Sequence, residues 1–301
     1  MAATSSIGLL VSFAAVLAAA TAGCGDDGGA PGAVVEEAVD EVVVTYAVLG
    51  DLVADLVGDE ARVRVVVPNG QDPHHHSPSA REIEALRNAR FVVANGLDLE
   101  EGMLDALNAV ADAGVLVFKV ADHVQVRQVG DGAGDPHVWL DPTTMAEMVP
   151  ALAAALGDAL GVDLGPSATA LVDQLVALDA EVREILEPIG VGECRLVTGH
   201  ESLGYFADRF GCEVIAAVVP SLSSSAEASA QDLAELRELV VSEGARAIFT
   251  ELGTSTDLAE QIAAEADVPL VELATHLLPG DTGYAGFMRR LAGDIAKALT
   301  S

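Results

Sequence analysis

The chain has 301 residues, 51% of them hydrophobic and 21% charged, which is long enough for two domains of ordinary size and excludes intrinsic disorder. Its formal net charge of -32 comes from 47 acidic residues against only 15 lysines and arginines, the first of which is Arg62. So few cations cannot form a patch that neutralises phosphates, which argues against nucleic acid as a partner.

In chain order, residues 7–20 (IGLLVSFAAVLAAA) form an uncharged apolar run. It is too short to span a bilayer comfortably but matches the hydrophobic region of a signal peptide, predicted over residues 1–23. The following Thr21-Ala22-Gly23-Cys24 resembles a bacterial lipobox, which would make Cys24 the lipid-bearing first residue of an exported protein anchored to the membrane by lipid alone. The alternative is a simple cleaved signal with an incidental cysteine. Residues 24–41 are rich in glycine and acid without apolar periodicity and read as a flexible tether.

From residue 42 short Val-rich runs alternate with amphipathic segments: residues 42–48, 63–67, 91–94 and 115–118. Apolar strands separated by helices predict an α/β fold with a parallel sheet covered on both faces, here a first βα lobe over residues 42–160. The same rhythm returns at residues 195–199, 213–218, 247–251 and 269–273, predicting a second βα lobe over residues 191–301. Between them, residues 161–190 contain one long connecting helix. Its apolar stripe is Leu171, Leu175, Leu178, Val182 and Ile185, with Ser167 as the expected cap and Pro188 and Gly190 as the stop. Cys194 and Cys212 each begin an apolar run of the second lobe. In an exported protein they are expected to form a disulfide between the starts of neighbouring parallel strands; two buried free thiols are the alternative.

The seven histidines are His74, His75, His76, His123, His137, His200 and His276. His74 lies in the loop after a strand, His200 directly follows one, and His276 follows the last. In parallel α/β sheets, ligands bind outside the carboxyl ends of the strands. His137 sits in a Pro-punctuated loop closing the first half, and Asp281 precedes the last helix. Both halves therefore direct imidazoles or carboxylates to a shared cleft. Such donors suit a metal ion.

Five segments carry a family resemblance: NGQDPH (69–74), DPHVWLDP (135–142), TGHESLGYFADRFG (198–211), AIFTE (247–251) and GDTGY (280–284). In order and spacing they resemble the metal-specific solute-binding proteins of zinc and manganese ABC transporters, from about residue 42 to the C-terminus. The resemblance implies two βα lobes joined by a long helix, with metal bound between them and handed to a membrane permease; an accessory zinc metallochaperone is a candidate further partner that the sequence does not decide. Carried over by position, the ligands are His74, His137, His200 and Asp281. Family members of the manganese type have Glu at the third of these positions and zinc-type members have His, as here. Three imidazoles with one carboxylate suit a tetrahedral zinc, whereas manganese, the alternative along with iron, prefers more oxygen donors.

Around that set, His75 and His76 are loop residues available to incoming metal, and His123 has no motif support. His276 rivals Asp281, because it too follows a strand, but the resemblance leaves it outside the ligand set. Glu251 is a candidate to accept the free ring N–H of a ligand histidine, its plain alternative being a helix cap. Trp139, the one tryptophan, reads as core beside His137. An exported zinc hydrolase is the competing function from another class. The chain has no H-E-x-x-H motif, and four protein ligands would fill the open position that catalysis needs, so it is read as a binding protein and not an enzyme.

Overall fold

A computed structural model of the chain describes residues 40–130, 132–251, 256–276 and 280–301. The expected signal peptide, most of the tether and Cys24 lie outside them. The first half runs β1 (Glu41–Tyr46), α1 (Ala47–Val57), β2 (Arg62–Val67), α2 (Ala80–Asn88), β3 (Phe91–Ala94), α3 (Leu104–Asp112) and β4 (Leu116–Lys119). These four strands form one parallel sheet in the order β2-β1-β3-β4. The central β1 and β3 are buried on both faces, which is why Val42, Val43, Val44, Val92 and Val93 form uninterrupted apolar runs. The chain goes from β1 out to β2 and returns to β3 on the other side of β1. That order leaves a crevice at the carboxyl ends of β1 and β3.

A two-stranded antiparallel ribbon, β5 (Gln128–Val129) and β6 (Ala133–Gly134), then leads into α4 (Pro142–Leu160). Asp141 caps α4 by accepting the Thr143 N–H at 2.7 Å, with Pro142 in the first turn, where its missing N–H costs nothing. The long helix α5 (Gly165–Leu186) starts ahead of the expected Ser167 cap. Asp163 accepts the Gly165 N–H at 2.9 Å, and Pro166 occupies the first turn instead. Leu171, Leu175, Leu178 and Val182 are buried as the stripe predicts, followed by Leu186, while Ile185 is half-buried. Its 22 residues span about 33 Å at 1.5 Å per residue. The helix packs against α4 and α1 of the first half and, in the second, against α6 (Gly204–Phe210) and α9 (Gly283–Thr300).

The second half also contains β7 (Arg195–His200), β8 (Glu213–Val219), α7 (Ala230–Ser242), β9 (Ile248–Glu251), α8 (Thr256–Ala266) and β10 (Leu270–Leu273). The strands pair in parallel as β7 with β8 and β9 with β10, and β7 lies beside β9. The C-terminal helix departs from a simple division at residue 190, because α9 also packs on α1. The Tyr284 N–H donates to Asp51 at 2.6 Å and its hydroxyl to the Trp139 carbonyl at 2.7 Å. One apolar core accordingly runs from β1 through α5 to Leu299.

Cys194 and Cys212 are joined as a disulfide across the starts of β7 and β8, their Cα atoms 4.6 Å apart. The bond closes a loop of sequence separation 18, for which restriction of the unfolded chain contributes about 3 kcal/mol. Replacing both cysteines by alanine should therefore lower the melting temperature by about 6–12 °C in a chain of this size, read by calorimetry with and without reductant. No helix among the described residues is long and apolar enough to cross a membrane.

Candidate metal centre

The sequence D-P-H occurs twice, and both copies fold the same way. Asp72 accepts the backbone N–H of His74 at 2.9 Å, and Asp135 accepts that of His137 at 3.0 Å. The aspartate closes a tight turn across a proline whose φ is already fixed, so the histidine ring is projected from a rigid corner. His200 is delivered differently, as the last residue of β7, paired with Val219 at the carboxyl end of the second sheet.

These three rings meet. His137 Nε2 lies 3.3 Å from His74 Nε2 and 3.1 Å from His200 Nε2, and all three histidines are buried. Outward, His137 Nδ1 is 2.8 Å from Asp135 Oδ1, and His200 Nδ1 is hydrogen-bonded to Glu251 Oε2. A carboxylate only accepts, so in these two rings Nδ1 carries the hydrogen and Nε2 is left to face the centre. His74 Nδ1 is 3.4 Å from Glu101 Oε1. Lone pairs at such separations repel unless a cation is shared among them. A tetrahedral zinc with Zn–N distances of about 2.0–2.1 Å sets its nitrogens about 3.3 Å apart, close to the two separations from His137 Nε2.

Electrostatics divides the trio. Burial, reinforced by the neighbouring His200 and His74, holds the His137 ring well below the ordinary histidine range. Burial also lowers His74, against the opposing pull of Asp72. Burial pulls His200 down as well, but the charge and hydrogen bond of Glu251 outweigh it and leave that ring raised. Glu251, bonded also by the Ser202 hydroxyl, is held below the usual carboxylate range although burial alone would raise it. Of the three rings His200 is thereby the one most ready to carry a proton, while burial favours the neutral form of His74 and His137.

The loop beneath His137 is fixed by a buried polar network. Glu100 accepts the Thr45 hydroxyl at 2.7 Å and the Asn95 N–H at 2.7 Å, and the Asn95 amide donates to the Pro136 carbonyl at 2.8 Å. The turn so clamped holds Leu97 and Asp98 at φ of 56° and 58°, a left-handed conformation uncommon outside glycine. Arg127 salt-bridges Asp135 at 3.3 Å and Asp208 of α6 at 2.7 Å. A Cβ at Gly204 would lie 2.4 Å from the Arg127 guanidinium, so glycine is needed there for the arginine to reach Asp135.

The other expected residues fall around this centre. Glu251 touches His200 as described. His276 lies beside it, its ring 5.6 Å from that of Trp139 and its Nε2 4.0 Å from Asp72 Oδ1, and burial presses its pKa down to about 4. His76 pairs with Glu82, and the half-exposed His75 faces Asp72. His123 stacks on Phe118 at 4.2 Å, away from the trio. Asp281 is not brought into the cluster formed by the three histidines. It makes a two-pronged salt bridge to Arg290 of α9, at 3.0 and 2.9 Å, and the same guanidinium donates to the carbonyls of Ala274 and His276. Asp72, Glu101 and Asp135 were not singled out from the sequence. The repeated D-P-H was the signal for two of them, whereas Glu101 had none.

Among curated proteins, the zinc-binding protein TroA of Treponema pallidum is 29% identical over 258 residues, covering 81% of each chain. The manganese-binding lipoprotein MntA of Halalkalibacterium halodurans is 22% identical over 76% of this chain and 77% of its own length. Among solved structures, T. pallidum TroA superposes with a TM-score of 0.79 at 26% identity, covering 87% of this chain and 99% of that one. A crystal structure of ZnuA gives 0.74, also at 26%, with the same coverage. Residues 42–298 match the family described as zinc-uptake complex component A, periplasmic (ZnuA), which is nearly the whole chain after the tether. With a match over so much of its length, the chain belongs to that family of ABC-transporter solute-binding proteins.

Proposed function

We propose that this chain captures zinc outside the cytoplasm, using His74, His137 and His200 with the carboxylate of Asp281, and delivers it to the permease of an ABC importer. The observation that carries the reading is the convergence of three buried histidines, with His137 Nε2 3.3 Å from His74 Nε2 and 3.1 Å from His200 Nε2, two of the rings having their outer nitrogens committed to carboxylates. The nitrogen-rich donor set favours zinc over manganese. Membership of the zinc-uptake family and the zinc-binding relative TroA support the same cargo, and the lipobox-like segment supports a lipid anchor at Cys24.

Titrating metal-free protein with zinc and with manganese tests this. Trp139 is the only tryptophan, is buried, and has its ring 5.3 Å from that of His137, so its fluorescence reports the site. Zinc should bind far more tightly than manganese; the reverse order would sink the zinc assignment. For Asp281 to act as a ligand it must exchange Arg290 for the ion. Asp281→Asn should then weaken zinc binding by about a hundredfold, the loss of one charged ligand. Unchanged affinity would assign the fourth position to another oxygen.

A further inference from the structure

The loop after β8 carries three consecutive serines whose hydroxyls reach residues of the first half. Ser223 donates to Glu101 Oε1, Ser224 donates to Asp72 Oδ2 at 2.5 Å, and Ser225 Oγ lies 3.5 Å from His75 Nδ1. The two carboxylates engaged are those that flank His74. Asp72 Oδ1 accepts the His74 backbone N–H, and Glu101 Oε1 is the oxygen 3.4 Å from His74 Nδ1. His137 and His200 differ from His74 in this respect. His137 is oriented by Asp135, two residues before it, and His200 by Glu251 at the end of a strand of its own half. His74 Nδ1 meets Glu101 Oε1 only at 3.4 Å, a looser contact than those made by the other two rings.

We propose that Ser223 and Ser224 are positioning residues for His74, fixing Asp72 and Glu101 from the opposite half so that the ring presents Nε2 to the ion. This deepens the zinc-capture reading and rests on it. A serine hydroxyl that donates to a carboxylate oxygen restricts the rotation of that carboxylate. Asp72 in turn fixes the backbone turn from which the imidazole projects, and the Glu101 oxygen stands over Nδ1. The serines themselves need not touch the metal. Because the two elements belong to different halves, His74 is aligned only while the serine loop is seated. Partners that orient a ligand histidine are each worth about 10–100-fold in metal affinity.

The test is a double-mutant cycle on the full chain. Ser223→Ala with Ser224→Ala should raise the zinc dissociation constant about 10–100-fold, chiefly through faster dissociation. The melting temperature of the metal-free protein should be unchanged, and Ser224→Thr, which keeps the hydroxyl, should keep most of the affinity. In a His74→Ala background the serine changes should cost nothing more, since the residue they act through is gone. Wild-type affinity in the serine variant, or an equal loss in the His74→Ala background, would overturn the proposal. The zinc-capture reading fails by a different result, wild-type affinity in His137→Ala, so the two failures are distinguishable.

Discussion

Replacing His137 or His200 by alanine lowers zinc affinity by about 100–1000-fold each, while His123→Ala leaves it unchanged. Binding free energies for zinc in all-protein sites are about 10–16 kcal/mol, so one of four ligands accounts for about 3–4 kcal/mol, or 100–1000-fold. His137 is central to the trio, its Nε2 within 3.3 Å of both partners. Its loss also leaves Asp135 buried without the ring it orients. His200 supplies the nitrogen of the second half, and its removal leaves the buried Glu251 without the ring N–H it accepts. His123 serves as the control because its ring stacks on Phe118 and takes no part in the cluster. Competition against a chelator of known zinc affinity gives the three constants, and equal values would refute the assignment. Thermal denaturation checks it independently. Zinc at a thousand times its dissociation constant stabilises the folded chain by about 4 kcal/mol, and that gain should shrink in the two ligand variants and persist in His123→Ala.

The sheets were legible because buried parallel strands need continuous apolar runs, and residues 91–94 stand in the structure where the sequence placed them. The stripe of α5 was legible for the same reason, but its first turn was not. Ser167 is a good capping residue in isolation, yet Asp163 and Pro166 start the helix earlier, and local propensity alone could not choose between them. His74, His137 and His200 were named through the resemblance of their motifs, and the fold brings those three together. What surrounds them depends on contacts between residues far apart in the chain. Arg290 reaches back nine positions from α9 to hold Asp281, and a bidentate guanidinium pair competes well with other uses of a carboxylate. Ser224 bonds Asp72 across 152 positions, a pairing that only the folded chain brings about. The repeated D-P-H was readable, since an aspartate before proline favours a turn that projects the next side chain.

The pH dependence of binding should report one proton rather than three. Three unperturbed histidines would titrate together near pH 6.5, and zinc affinity would fall with up to the third power of proton concentration. In this site the rings are not equivalent. His137 and His74 are depressed, by burial first, so their lone pairs remain free as pH falls through that range. His200 is raised, because Glu251, with the charges of Asp72 and Asp135, outweighs burial, so of the three rings it is the one that takes up a proton first as pH falls. Affinity should therefore fall by no more than about tenfold per pH unit as pH drops from 7 to 6, with no more than about one proton released per zinc bound, counted by calorimetry in buffers of different ionisation enthalpy. Around pH 6 the slope should steepen, because Asp135, pushed up to about 6 by burial against the bond from the His137 N–H and the charge of Arg127, is about half protonated there and stops orienting His137. Glu251→Gln separates the causes. Without the carboxylate, burial is opposed only by the charges of Asp72 and Asp135, the His200 pKa drops, and the onset of the loss moves to lower pH. At pH 8 the same variant should bind about tenfold more weakly, because the ring has lost its charged acceptor. The affinity-versus-pH curves of the two proteins should then converge as pH falls. A slope near three between pH 7 and pH 6, or an onset unmoved by Glu251→Gln, would mean that the carboxylate does not hold the proton on His200.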